Sequence, residues 1–490
     1  MRTVRGRTDH VVVVGAGLGG LSAALRLTGA GRRVTVLERE SVPGGRAGVL
    51  SDGGYTFDTG PSVLTMPGLI ADALACVGES MTDWLDLVPV RPLYRARFAD
   101  GSSLDMHADP EAMADEIAAV CGPADAAGYR RYVAFVSRLH ELEMRGFIDR
   151  NIDSPFGLLT PDLARLAALG GFRRLAPKVA QFFADDRTRR VFSFQAMYAG
   201  LSPYDALAIY AVIGYMDSVA GVFFPKGGMH AIPRALAAAA QKHGAELSYD
   251  TTVDRVELRG SRAVAVHTTA GERVPCDALV LNPDLPVARR DLLGRPLRRR
   301  LRYSPSCFVL HVGSRATYPD DAHHTISFGA AWKGVFDDVL GGRLMSDPSF
   351  LVTSPSRTDP SLAPAGRSSY YVLFPAPNLD GPVDWAAEGP RYQERVIDTL
   401  EARGWRGFRA GMEIAHATTP QDWARQGMAG GTPFAAAHTF GQTGPFRPRN
   451  LWGENVVFAG SGTQPGVGVP MVLISGRLAA ERITGPGAAA

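Results

Sequence analysis

Cysteine, lysine and long apolar runs are all scarce in this chain of 490 residues. The four cysteines, Cys76, Cys121, Cys276 and Cys307, form no C-x-x-C pair and have no histidine at ligand spacing. A disulfide framework and a zinc site are therefore excluded, and a reducing cytoplasm is the expected compartment. The remaining histidines are scattered, and no metal is expected. Nowhere do about 18 apolar residues run uninterrupted, so no spanning helix is expected. Charge of one sign is lacking too: 52 Lys+Arg against 49 Asp+Glu leave +3, too little to imply a nucleic-acid partner. Lysine occurs only at 178, 226, 242 and 333, so nearly all the basic residues are arginine. With 46% apolar and 21% charged residues the chain is of ordinary globular type, long enough for about three lobes of roughly 150 residues.

What is present begins at residue 11. A basic head followed by Val11–Val14 imitates a secretion signal, but glycines at fixed spacing break the apolar run. Val11–Val14 reads as a strand buried on both faces, Leu21–Leu27 as a helix, and Val34–Leu37 as a second strand ending at an exposed acid, Glu38. Between strand and helix lies G-x-G-x-x-G. Gly15 makes the tight turn, Gly17 admits a pyrophosphate to the helix N-terminus, Gly20 lets helix and strand pack closely, and Glu38 accepts from a ribose hydroxyl. That order of elements predicts dinucleotide binding. Pro43-Gly44-Gly45-Arg46 and Gly54-Tyr55-x-Phe57-Asp58-x-Gly60-Pro61 follow, and a late partner stands at 456–482. There a strand leads into glycines at 460, 462, 466 and 468 and a helix that starts near Pro470, where proline's missing N–H costs nothing. Two helix ends far apart in sequence suit a large dinucleotide gripped along its length.

These segments resemble the bacterial and fungal carotenoid desaturases, the phytoene desaturase branch of the FAD-dependent amine-oxidase-like superfamily. The matching stretches are GAGLGGLSAALRLTGAGRRVTVLERESVPGGRAG, GYTFDTGPSVLTMP, GVFFPKGGMHAIPRALAAAAQKHGAELSYDTTVDRVE, CDALVLNPDLP, RYSPSCFVLHVG and NLWGENVVFAGSGTQPGVGVPMVLISGRLAAERI. The resemblance implies FAD as cofactor, held by Gly15, Gly17, Gly20, Glu38, Gly45, Arg46, Gly60, Pro61, Val253, Gly460, Ser461, Gly468, Val469 and Pro470. It implies desaturation of a long polyene, most simply phytoene to lycopene, by hydride transfer to flavin and proton loss. The substrate would come from membrane lipid and the electrons would go to a quinone or oxygen. A sibling acting on a later or C30 carotenoid, an oxygenase, and a non-enzymatic prenyl-binding protein of the same fold are the alternatives. Amine-oxidase relatives place an acid after the late strand; Gly460-Ser461-Gly462 has none, which argues against amine oxidation. The chain has no second G-x-G-x-x-G and no redox cysteine pair, so it is not a pyridine-nucleotide disulfide reductase.

The expected architecture is α/β: a discontinuous Rossmann-type FAD domain with an inserted sheet-based substrate domain and a helical lobe. Residues 1–75, 222–288 and 448–490 would form the first, 76–110 with 289–447 the second, and 111–221 the third. Helices are predicted over 110–120, 125–148, 161–184, 203–216 and 231–243, and strands over 246–257, 263–268, 300–313 and 369–374. Asp162 and Arg165, three apart at a helix start, are similar to an acid–arginine pair that the resemblance places near the flavin and are the candidate catalytic residues. An acid in a first turn is also what the helix dipole favours, with Arg165 its simple partner. The apolar stretch 206–216 reads as a tunnel wall or as a buried core helix. Two basic stretches, 173–190 with interleaved phenylalanines and 289–302, read either as solvated faces or as a peripheral membrane-docking surface.

Overall fold

A computed structural model describes residues 1–487. The valines at 11–13 are fully buried because their strand, His10–Val14, lies inside a sheet, between Arg33–Leu37 and Ala278–Leu281. Across that sheet the order is Leu451–Trp452, Val456–Phe458, Ala278–Leu281, His10–Val14, Arg33–Leu37 and Glu246–Ser248. Every pairing is parallel except the antiparallel edge made by Leu451–Trp452. Neighbouring strands in one layer thus come from three distant stretches, which is the discontinuous Rossmann-type architecture expected from the motifs. Strands buried on both faces need a layer on each side: the helices Leu18–Gly29, Ala231–Lys242 and Val469–Thr484 cover one, and the small antiparallel sheet Val253–Arg259, Arg262–Thr268 and Arg273–Pro275 covers the other.

A second, largely antiparallel sheet of seven strands runs Met412–Thr418, Ser306–Ser314, Ser368–Ala376, Phe350–Thr353, His324–Ser327, Tyr94–Arg97 and Ser103–Met106. Its long Ser306–Ser314 strand is buried throughout. Between 110 and 218 the chain is helical, with Pro110–Cys121 and Pro123–Glu143 the longest pieces.

Several predicted elements differ in their bounds. The helix expected over 161–184 is Pro161–Ala168 and, separately, Leu175–Val179, because Gly170 (φ +78°) turns the chain between them. The helix expected over 203–216 is a tight turn, Ala208–Ala211, leading into Val212–Ser218. Residues 206 and 208 instead bond the preceding loop, Leu175 N donating to Ala206 O (2.9 Å) and Ala208 N to Arg173 O (2.8 Å). The strand expected over 246–257 breaks at Asp250 (φ +51°) and serves two different sheets. The first helix starts at Leu18, directly after its Gly17 cap.

The helices Leu18–Gly29 and Val469–Thr484 meet closely where Gly476 faces the backbone of Gly19. A methyl at Gly476 would stand 2.4 Å from Gly19 O and 2.6 Å from Ser22 Cβ. Ser22 Oγ donates to Leu473 O (2.8 Å) across the same seam. Gly476→Val should therefore lower the thermal unfolding midpoint, overpacking of this kind costing about 1–3 kcal/mol. An unchanged midpoint would show that the helices can part without loss.

Candidate functional site

The first turn of the nucleotide fold is closed by backbone. Gly15 (φ +96°) donates its N–H to Leu37 O (2.8 Å), and a Cβ on Gly20 would stand 2.1 Å from Gly15 O. Gly20 is therefore the floor of the loop, packed beneath it as its spacing predicts, and it does not reach the cavity above. Glu38 differs from expectation. Its side chain is buried, 5% exposed, because Oε2 accepts from Ala16 N (2.6 Å) and Oε1 from Glu40 N (3.0 Å). It clamps the glycine loop, with lone pairs left over toward the cavity that it also lines. The middle segment is tied to the same place, Thr251 N donating to Glu38 O (2.8 Å) and setting Val253 in the wall.

The late segment brings a second helix end to this loop. Gly17 and Gly468 cap their helices without a side-chain hydrogen bond, so the first amides of both helices stay available in the cavity wall. Arg46 ties the two halves together: Nη1 donates to Pro433 O (3.1 Å) and to Ser461 Oγ, and Nη2 lies 3.4 Å from Asp284 Oδ1. Asp284 also accepts from Ala429 N (2.9 Å). Gly60 must be glycine, since a Cβ there would be 1.7 Å from Arg46 O. Behind Ser461 the guanidinium of Arg447 is fully enclosed and donates to the carbonyls of Ser461, Thr463 (2.9 Å) and Ala436 (3.3 Å). Burial lowers its pKa to about 10, still charged at neutral pH.

This frame surrounds one cavity of about 1870 Å³. That is roughly twice the upper end of the ~300–1,000 Å³ range of a small-molecule pocket, so it has room for two long occupants. Gly15, Gly17, Glu38, Gly45, Arg46, Gly60, Pro61, Val253, Gly460, Ser461, Gly468, Val469 and Pro470 line one part. The rest is hydrocarbon: Phe194, Met197, Ile213, Met216, Phe328, Trp332, Phe336 and Leu373. The stretch at 206–216 therefore does both things its sequence allowed, Ala208 and Ala211 being core while Ile209, Ile213 and Met216 form wall. Phe172, Phe440 and Phe446 line the cavity and are also exposed, so it opens through a rim of aromatic rings. Phe156 and Leu159, 80% and 72% exposed, extend that rim.

Asp162 and Arg165 are not brought to the cavity; Leu163, Leu166 and Ala167 of the same helix line it instead. Arg165 Nη1 donates to Asp162 Oδ1 (2.7 Å), and the arginine is 57% exposed. The pair occupies the outer face of the first turn, where the dipole and a local partner account for it. Residues that carry the site without a sequence signal are Asn282, Asp284, Arg447 and the cavity carboxylates Glu143 and Asp217. Asn282 fills the space beside Gly17, its Oδ1 2.6 Å from where a Cβ would be. Of the basic stretch 173–190, Arg187 is held by Asp185, Arg189 by Phe183 O and Arg190 by Asp186, while Leu175, Val179 and Phe183 point inward. It is not one interfacial helix; only Arg173 and Arg174 stand exposed beside Phe172.

A parallel nucleotide-binding sheet, two uncapped helix ends and a hydrocarbon chamber define a flavin-type oxidoreductase fold built for an apolar substrate. Residues 18–484 match the flavin containing amine oxidoreductase family, and the chain belongs to it. The phytoene dehydrogenase of Streptomyces griseus is 59% identical over 99% of this chain and 97% of its own length. The zeta-carotene-forming phytoene desaturase of Myxococcus xanthus is 38% identical over 97% of this chain and 93% of its own. An oxidoreductase from Methanosarcina mazei, 17% identical, shares the fold with a TM-score of 0.62 over 95% of this chain and 98% of that one.

Because Glu38 holds Ala16 N, Glu38→Ala should both release FAD and destabilise the loop, an unmet buried donor costing about 1–3 kcal/mol. Glu38→Gln keeps an acceptor and should retain the fold with weakened flavin. Flavin absorbance after desalting, beside thermal unfolding, measures both; full occupancy in both variants would remove Glu38 from the site. Asp162→Ala should change neither quantity, since an exposed helix pair contributes only about 0.3–0.5 kcal/mol.

Proposed function

We propose that this chain desaturates a long apolar polyene, phytoene to lycopene or a related carotene, with FAD as the oxidant. The observation that carries this is the single cavity joining two uncapped helix ends to a hydrocarbon chamber. The relatives named as phytoene dehydrogenase and desaturase support the substrate class. Gly15 and Gly17, above Gly20, would take the pyrophosphate, and Glu38 and Val253 the adenosine end. Gly45, Arg46, Gly60, Pro61, Gly460, Ser461, Gly468, Val469 and Pro470 would hold the flavin end. We assign 1–75, 222–288 and 448–490 to this FAD unit, 76–110 with 289–447 to the substrate unit and 111–221 to the helical lobe.

Bound FAD supplies the hydride acceptor for an allylic C–H. The chain itself positions the polyene along Phe194, Met197, Phe328 and Phe336 and keeps water away from it. Reoxidation falls to a quinone or oxygen, since the sequence offers no second nucleotide motif. Among the described residues no helix is long and apolar enough to cross a membrane. The aromatic rim at 156–159, 172, 440 and 446 supports docking of the mouth onto membrane lipid from the cytoplasmic side. Arg299 donates to Gly441 O (2.6 Å) and Phe446 O (3.3 Å) at that rim, and Arg173 and Arg174 flank it, so anionic lipid is the fitting surface.

The holoprotein mixed anaerobically with phytoene in anionic liposomes should lose its oxidised-flavin absorbance while longer-wavelength carotene bands appear. Flavin that stays oxidised with every carotene tried would overturn the function. The double substitution Phe440→Asp and Phe446→Asp should release the protein from liposomes with FAD content intact. Neutralising Arg173 and Arg174 as glutamines should weaken attachment about thirtyfold at low salt, about 1 kcal/mol being lost for each basic residue. Cosedimentation with vesicles measures both effects.

A further inference from the structure

The wall of the hydrocarbon chamber contains a carboxylate that the fold does not explain. Asp217 is the next-to-last residue of the Val212–Ser218 helix, 1% exposed, and lines the cavity beside Met216 and Phe194. Its Oδ1 accepts from Ser218 Oγ (2.8 Å), while Oδ2 has no hydrogen-bond partner. Among the described residues no basic side chain pairs with it. The groups that face it are Gln195 and the phenols of Tyr94, Tyr132 and Tyr198. Burial pushes all three phenols well up, so they are neutral throughout the working range. The Gln195 amide nitrogen donates one N–H to Val191 O (3.0 Å), and the Gln195 side chain also favours the ionised form of the Asp217 carboxyl as a hydrogen-bonding neighbour.

Structure alone disfavours an acid in this position. A buried charge without a partner is costly, and the C-terminal end of a helix repels negative charge. Residues kept against stability in this way concentrate where chemistry needs them. Desaturation needs one group of this kind. When the first C–H leaves as hydride to the oxidised flavin, the polyene is left with a delocalised cation. That cation is high in energy in an apolar chamber and would take the hydride back, so reduction completes only as the neighbouring C–H breaks, its electron pair becoming the new π bond and its proton going to a base. Glu143, which also lines the cavity with an oxygen lacking a partner, is raised well above the usual carboxylate range by burial and so, standing neutral, is the poorer base.

We propose that Asp217 is that base: its free Oδ2 takes the proton from the substrate carbon, and the protonated carboxyl gives it up to water once the product has left. The assignment rests on the desaturase reading. Burial raises the Asp217 carboxyl to about 7, with the Ser218 hydrogen bond opposing the rise. A base poised near neutrality is suited to proton abstraction. The carboxyl must be ionised to act, so flavin reduction should rise with pH through about 7 and level off above it.

The test is Asp217→Asn in the FAD-loaded protein, with phytoene in anionic liposomes and flavin reduction followed anaerobically. FAD content and carotene uptake should match the parent, the unfolding midpoint should not fall, and reduction should slow by about 100-fold or more. Asp217→Glu should recover part of that rate. Reduction within about threefold of the parent, on the scale of a general base's contribution, would overturn the assignment. If the asparagine variant loses FAD or does not fold, Ser218→Ala decides: without its donor the rising limb of the pH profile should move up by about one unit. A limb that stays in place would overturn the assignment. A parent protein whose flavin is reduced by none of the carotenes removes the desaturase function itself, and Asp217's role with it. A parent that is reduced by phytoene, alongside an equally active asparagine variant, removes only the latter.

Discussion

Gly19 and Gly476 lie against each other with no side chain between them, and the direction of two helix N-termini follows from that contact. Helices carrying ordinary side chains pack about 8–10 Å apart and would splay these ends. Drawn together, Leu18–Gly29 and Val469–Thr484 present uncapped amides at the carboxyl edge of one parallel sheet. Open sheets of this kind bind ligands at that edge. The buttresses behind it are polar but inward-facing. Arg46 reaches Ser461 and Asp284, and Arg447 fills the space under the late glycine turn with donors for its carbonyls. Substrate geometry therefore depends on a seam of small residues well away from any carotene.

The parts of the site that were legible in the sequence are those whose signal is local. Four valines, three spaced glycines and a strand-end acid specify one turn. The late glycines announce the second because a strand and a proline-started helix flank them. Gly60 was legible as motif, although its reason, the carbonyl of Arg46, lies in the tertiary structure. Local pattern failed where long-range neighbours decide. The 203–216 segment has helical periodicity, yet its first residues spend their backbone bonds on residues 173–175. Glu38 reads as exposed from its place at a strand end, and its burial against the glycine loop comes only from the tertiary fold. Arg447 is one arginine among many, and only the fold shows that it is enclosed. Asp162 and Arg165 show the reverse: a pair with a helical spacing and a family likeness, standing outside the cavity.

Much of the chamber wall is hydrocarbon, and its sparse polar groups are what distinguish it from a core. Glu143, with one oxygen lacking a partner, is raised well above the usual carboxylate range by burial, so it stands neutral in the wall. His438, pressed against Gly466, is kept neutral in the same way. A lining with so few polar groups in its hydrocarbon part lets an apolar chain slide without binding tightly at any one place. The aromatic rim continues that surface to the outside, so a water-insoluble substrate meets similar chemistry from lipid to chamber.

The order in which the sheet receives its strands has a consequence for synthesis. Ala278–Leu281 pairs with Val456–Phe458, and 174 residues must be made between them. At about 5–20 residues per second a ribosome takes roughly 10–35 s to deliver the missing neighbour. For that interval a fully apolar parallel strand has an open edge, the feature most prone to pair with another chain. The nascent chain also cannot yet hold a dinucleotide by both helix ends, because the second helix is the last element to emerge. Flavin loading is thus tied to chain completion, and a product truncated anywhere before residue 469 would be colourless and sticky alike.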